Sequence, residues 1–317
     1  MAPYIVRRLL ISLLVLLGIT ILNFMIINLA PGNPVELFID PDTPRELIQA
    51  RKELLGLNAP LFTQYIKWLG ALLQGNLGYS FSSHAPVLHI IGERLGPTLL
   101  LAAASLLFGL LIAIPIGILS ALKQNTKFDY LMTGFSFISV SVPQFFLSLT
   151  LIYVIAVKLH LLPTGGMVTL GYEGDLRDRL IHLVLPVLVL GSVVAGKKVR
   201  YIRSSVLEVL KQDYMRTAHA KGLHPFVVIN KHALRNALVP IITVIAAEIP
   251  ILLGGSIVIE QIFQWPGIGR LTFLSILSRD YPILMGLNLV AAIIVLLTNL
   301  LTDILYSLAD PRIKYDR

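Results

Sequence analysis

Between Arg8 and Glu36 the chain runs 27 residues without a charged side chain. That interval fixes the solvent in which the rest must fold. A helix over Leu9 to Ala30 alone spans roughly 33 Å, against a hydrocarbon core of about 30 Å. Five further charge-free windows follow: Leu95 to Leu122, Tyr130 to Val157, Leu180 to Gly196, Asn236 to Ile259 (interrupted by Glu248) and Tyr281 to Thr302. Each is long enough to cross a bilayer. With 56% apolar and 14% charged residues and a mean hydropathy of +0.79, the chain carries more apolar surface than a water-soluble core can bury. The expected fold is all-α: a polytopic membrane bundle of six transmembrane helices, with a small external helical segment after the first.

A cleaved signal peptide would have an apolar region of only about 7–15 residues before a small-residue cleavage site. Leu9 to Ala30 is longer, and Asn28 spoils such a site, so the first span is expected to be a retained anchor. Pro97 suits a helix start. Pro115, Pro143, Pro186 and Pro250 fall inside spans, where the missing N–H predicts kinks that neighbours must compensate.

The formal charge of +8 resolves by location. Sixteen basic residues fall at the two ends, at Lys123 and Lys127, and in 197 to 235; ten fall on the other side, together with eleven acidic ones. By the positive-inside rule both termini and the 197–236 loop face the cytoplasm. The basic excess is therefore topological, and no aromatic-interleaved basic stripe points to nucleic acid. The absence of cysteine excludes disulfides, thiolate metal sites and cysteine nucleophiles.

Two connections are too long to be turns. Residues 31–96 contain helix-like stretches at Pro44 to Leu55 and Pro60 to Leu73, the second with Leu61, Tyr65, Trp68 and Leu72 at helical spacing. Such a cap either lies on the bilayer surface or offers a platform to an external partner. Residues 197–236 read as two helical units. Leu207, Leu210, Tyr214 and Ala218 form one apolar face, Gly222 ends that helix, and Pro225 starts a second unit running to Asn236. A basic bent helix pair of this kind packs on lipid headgroups or fits a groove in another protein.

The run Arg216-Thr217-Ala218-His219-Ala220-Lys221-Gly222-Leu223, followed by His232-Ala233-Leu234-Arg235, resembles the "EAA" coupling loop of binding-protein-dependent ABC importer permeases. The family pattern is E-A-A, three residues, G, nine residues, I-x-L-P. Ala218, Gly222 and Leu234 match it; Arg216, Thr217, His232 and Arg235 depart from it in the manner of the peptide-importer branch. Ala30-Pro31-Gly32-Asn33-Pro34, the stretch from Glu260 to Leu271, Arg279-Asp280-Tyr281-Pro282 and Ala309-Asp310-Pro311-Arg312 extend the likeness nearly end to end. The chain is similar to the B-type permease subunit of a dipeptide or oligopeptide ABC importer, in the MetI-like inner-membrane component family.

The resemblance implies a non-enzymatic transport subunit in a prokaryotic inner or plasma membrane. It divides into an N-terminal transmembrane helix (1–30), an extracytoplasmic helical cap (31–96) and a permease core with five transmembrane helices (97–317). The implied partners are a second permease of the C type, two cytoplasmic ATPases, an extracytoplasmic substrate-binding protein, the lipid bilayer and a peptide substrate. This chain is expected to hold no cofactor, ATP and Mg²⁺ residing on the ATPases. Arg216, Thr217, Ala218, Ala220, Lys221, Gly222 and Leu223 would form the ATPase-coupling loop. Trp265, Pro266 and Gly267 would lie at the outer mouth, as a gate or binding-protein contact or as an interfacial turn anchored by Trp265.

Glu248 is the one deep ionisable group; it either faces the translocation path and meets a peptide amine or is hydrogen-bonded in a helix contact. His182 and Asp303, near span ends, are expected to snorkel towards water. Gly191 to Lys197 matches G-x-x-x-x-G-K, but Lys198 stands where a phosphate loop needs Ser or Thr. The match is read as coincidence and the two lysines as topology anchors. No H-E-x-x-H or G-x-S-x-G supports a hydrolase. A proton-coupled secondary transporter using Glu248 is the rival mechanism, although no internal repeat is evident. A different cargo of the same branch, glutathione or a nickel chelate, is the rival substrate.

Overall fold

A computed structural model describes residues 2–29, 59–222, 227, 244–245, 247–252 and 256–309. Its elements are α1 (Ala2–Leu29), α2 (Leu61–Leu73), α3 (Val87–Leu122), α4 (Lys127–Ser141), α5 (Gln144–Leu151), a π-helical stretch (Ile152–Lys158), α6 (Leu176–Leu210), α7 (Asp213–Ala220), α8 (Ile257–Ile262), α9 (Ile268–Leu277) and α10 (Tyr281–Ala309). Among the described residues there is no strand, only an isolated bridge between Tyr79 and Pro86. The all-helical architecture follows from the solvent: in hydrocarbon, a helix satisfies its backbone polar groups internally.

Among the described residues four helices have apolar windows able to cross a membrane, within Val6–Ile26, Val87–Leu122, Leu176–Leu210 and Tyr281–Asp303. The pair Lys127–Ser141 and Gln144–Lys158, bent by 94°, is long and apolar enough when taken together, as a broken span or a re-entrant loop. The bend has a local cause. Pro143 bars its predecessor from helical geometry, and Val142 is extended at φ −75°, ψ 122°. Pro97, Pro115 and Pro186 instead lie within continuous helices. Pro97 is therefore not a helix start, because α3 begins ten residues earlier at Val87. Residues 87–96, expected in the cap, are therefore continuous with the helix that carries the second apolar window. Half of the remaining window, Asn236 to Ile259, lies outside the described residues, as do Pro44 to Leu55 and all but Val227 of Pro225 to Asn236.

The chain forms two compact units, Met1–Gly96 with Arg270–Leu296, and Pro97–Gly269 with Leu297–Arg317. In the first, α2 leans on α1: the Thr20 and Tyr65 hydroxyls are 2.9 Å apart, and Phe24 meets Tyr65 edge-on at 5.5 Å and Trp68 at 6.1 Å. Asn288 on α10 donates to Asn23 on α1 at 3.1 Å. Asp280, buried before α10, accepts from the Ser80 hydroxyl (2.6 Å) and the Phe81 and Ser82 amides (3.2 Å each), pinning the turn ahead of α3.

In the second unit α6 is the centre. Its apolar window is 61% buried, against 11% for that of α1. Small residues let backbones approach closely where lipid provides no drive for helices to pair. A Cβ on Gly109 of α3 would lie 2.6 Å from Val194, one on Gly191 2.5 Å from Phe108, and one on Gly196 2.9 Å from the Ser136 carbonyl of α4. Gly191 and Gly196 are the two glycines of the apparent phosphate-loop match. They are helix-packing positions inside an uninterrupted helix, which accounts for the coincidence. Leu185, Val189 and Leu190 of α6 pack with Leu101, Ile259, Phe263 and Trp265 in the largest core cluster.

Candidate functional site

The helix of the fourth span does not stop where its charge-free window does. α6 continues through Lys197, Lys198, Arg200 and Arg203 to Leu210, so the first third of the expected loop is a rigid extension of a span. Lys211 and Gln212 break it, and α7 follows. The break changes the helical phase. Met215 and Ala218 are the buried positions, packed on Val209 and Leu210, while Tyr214, expected on the inner face, is exposed. Thr217 donates its hydroxyl to the Asp213 carbonyl (3.1 Å), and Arg216 pairs with Asp213 across 3.4 Å on the exposed side. Arg216, Thr217, Ala220, Lys221 and Gly222 are all exposed, backed by the buried pair. Gly222 has φ +69° and ends this segment, as its type predicts. Leu223 lies outside the described residues.

The base of this extension is fixed by ion pairs to two acidic residues, Asp129 and Glu248, pairings that sequence reasoning missed. Arg203 holds Asp129, at the start of α4, through two 2.6 Å hydrogen bonds, and Asp129 also accepts from the Asn125 amide at 3.0 Å. Lys198 is 5% exposed; it donates to the Glu248 carboxylate at 2.5 Å and to the Val244 carbonyl at 2.8 Å. The Lys197 ammonium stands 3.7 Å from the other Glu248 oxygen. Glu248 is itself 3% exposed. Lys198 is thus more than a topology anchor. The available signal was a lone acid in one span and adjacent bases at the end of another, but nothing in their spacing pairs them.

The stretch from Glu260 to Gly269 folds inward. Trp265 is fully buried; its indole N–H donates to the Pro97 carbonyl at 2.9 Å and its amide to the Glu260 carbonyl at 2.8 Å. An indole so placed is not an anchor at the lipid–water interface. Glu260, also fully buried, accepts from the Thr98 (2.8 Å) and Ser256 (3.0 Å) hydroxyls, and Thr98 in turn accepts from the Ile268 amide at 2.7 Å. This network dictates the glycines. A Cβ at Gly267 would run into the Thr98 hydroxyl and the Glu260 carboxylate, and one at Gly269 would lie 2.7 Å from the Ile257 backbone. Pro266 sits between Trp265 and Gly267, half-buried. Phe263 accepts from the Gly166 amide at 2.7 Å, docking the 159–175 segment on the same turn.

His182 does not snorkel. It is buried, 3.1 Å from the Thr169 hydroxyl, which donates to Asp178 at 2.8 Å. The Thr169 amide completes the latch at 2.6 Å. Thr169 partners the Nε2 side of the ring, so the side chain is held by a neighbour and not by water. Asp303 is half-buried on α10. Among the described residues no cluster of three His, Asp or Glu side chains is arranged to hold a metal ion.

Comparison with known proteins agrees over the whole length. The family described as "Binding-protein-dependent transport system inner membrane component" matches residues 113–315, and the N-terminal module of the same systems matches residues 1–102. The oligopeptide transport system permease protein AppB of Bacillus subtilis (strain 168) is 47% identical over 99% of this chain and 100% of its own. The dipeptide transport system permease protein DppB of Escherichia coli (strain K12) is 36% identical over the full length of both. Among solved structures, a chain of the inward-facing MetNI methionine ABC transporter aligns with a TM-score of 0.58 at 18% identity, covering 70% of this chain and 97% of that one. That likeness speaks to the fold alone. A polytopic helical chain whose motifs, span pattern and full-length relatives agree in this way belongs to the binding-protein-dependent transport inner-membrane component family, a family of transport permeases and not of enzymes.

Proposed function

We propose that this chain forms half of the translocation path of an ABC importer for dipeptides or oligopeptides. An external binding protein delivers the substrate, a second permease of the C type completes the path, and two cytoplasmic ATPases carry ATP and Mg²⁺. The observation that carries the reading is the full-length identity to permeases named for oligopeptide and dipeptide transport. The geometry of α7 supports the coupling role: a short helix with a polar exposed face, seated on the end of a span, suits a groove on a motor subunit better than a headgroup layer, into which its apolar residues would turn. Arg216, Thr217, Ala218, Ala220, Lys221, Gly222 and Leu223 are the contact segment in this reading. Both termini and this segment lie on the cytoplasmic side of a prokaryotic inner or plasma membrane, following the basic residues.

Trp265, Pro266 and Gly267 border the outer mouth in this reading. Because Trp265 and Gly267 are wedged against Pro97, Thr98 and Glu260, gating there moves α3 with the turn. The ion pair to Lys198 supports a helix-contact role for Glu248 over a direct meeting with peptide. The test is uptake of labelled peptide by proteoliposomes containing the purified complex and its binding protein. ATP-dependent uptake that survives a protonophore is expected; uptake driven by a proton gradient without ATP would overturn the reading. The ligand that co-purifies with the binding protein decides between peptide, glutathione and a metal chelate.

A further inference from the structure

Lys198 and Glu248 lie 50 residues apart and enclose the whole coupling segment between them. One ammonium touches two points on the far side, the Val244 carbonyl and the Glu248 carboxylate. Those residues are four apart, one above the other on a helix face. Held at once through a backbone carbonyl and through a side-chain carboxylate, the segment is fixed in rotation as well as in distance. The near side cannot yield. Two residues before Lys198, Gly196 brings α6 against the Ser136 carbonyl of α4; five residues after it, Arg203 is locked to Asp129. The pair is shielded from water, with side chains 6% and 4% exposed, so salt screens it little and neither charge has water as a substitute partner.

We infer that Lys198 and Glu248 are a positioning clamp that makes the two ends of the coupling loop turn together. The inference rests on the coupling reading of α7. Displacement of α7 is then relayed to the segment carrying Val244 and Glu248 as well as to α6. Without the pair, the returning arm rotates independently of α6 and the stroke is lost within the loop. The clamp touches neither nucleotide nor peptide; its removal changes how much transport each ATP yields, not whether ATP is hydrolysed.

The experiment measures peptide imported per ATP hydrolysed by the reconstituted complex carrying Glu248→Gln, Lys198→Met, or both substitutions together. The single variants are expected to co-purify with the ATPases and hydrolyse ATP while the ratio falls about tenfold, and the double variant to fall no further than either single, as one direct pair requires. A wild-type ratio in any of the three variants overturns the clamp. So does a double variant whose loss is the product of the two single losses; because the double variant leaves no unpaired buried charge at the pair, its own ratio also decides the matter where a single variant fails to fold. Failure of the unmodified chain to co-purify with any ATPase is a separate result, overturning the coupling reading itself.

Discussion

Arg203 grips Asp129 by two parallel hydrogen bonds, Nε to Oδ1 and Nη2 to Oδ2, both 2.6 Å. The carboxylate is nearly inaccessible and the guanidinium about one quarter exposed. The fork ties the basic extension of α6 to the first turn of α4, so the platform of α7 inherits the rigidity of a span. Removing one partner of such a pair leaves a buried charge, at a cost of about 3 kcal/mol. Arg203→Ala is therefore expected to lower the thermal unfolding midpoint of the purified complex by several degrees. Arg203→Lys should restore less than half, since an ammonium cannot make both bonds in the same geometry. An unchanged midpoint in Arg203→Ala would mean the fork contributes nothing.

Gly267 is required by what surrounds it. Adding one methyl group places carbon against the Thr98 hydroxyl and the Glu260 carboxylate, and overpacking of this kind costs about 1–3 kcal/mol. Gly267→Ala should reduce the yield of folded protein and its unfolding midpoint. Gly174→Ala, where a Cβ meets nothing within 4 Å, is the control and should be neutral. Equal behaviour of the two variants would contradict the packing account.

Gly222 is required by its backbone. A Cβ there meets nothing, but φ is +69°, a conformation that costs a β-branched residue roughly 1–2 kcal/mol. Gly222→Val should leave the spans folded and reduce ATP-driven uptake. Gly222→Asn, a residue that tolerates left-handed backbone, should keep most of it. Full uptake and normal assembly in the Val variant would remove this glycine from the coupling mechanism.

What the sequence made legible was whatever depends on local composition. Four of the six charge-free windows fall in helices able to cross a bilayer because hydrocarbon favours a continuous helix there, and Gly222 marked the end of α7 because few residues accept its φ. What stayed hidden depends on tertiary neighbours. Pro115, Pro143 and Pro186 look alike in sequence, yet only Pro143 sits at a break; whether a helix yields is decided by what compensates the lost hydrogen bond. Tyr214 and Met215 exchange places because the Lys211–Gln212 break shifts the phase that periodicity assumes to be continuous. Trp265 was legible as a turn residue, but its burial depends on a carbonyl of Pro97, 168 positions away. Gly191 and Gly196 imitated a phosphate loop because close helix packing selects the same residue at a similar interval.

The central claim is that the exposed face of α7 is gripped by a separate ATP-hydrolysing subunit. The chain has no cysteine of its own, so Ala220→Cys introduces a single thiol on that face. In the purified complex a short bifunctional reagent at this position should cross-link the permease to an ATPase subunit, with a yield that changes when ATP is added. If the introduced thiol instead reacts only with lipid-phase probes and forms no cross-link to any co-purifying subunit, α7 is not a coupling helix.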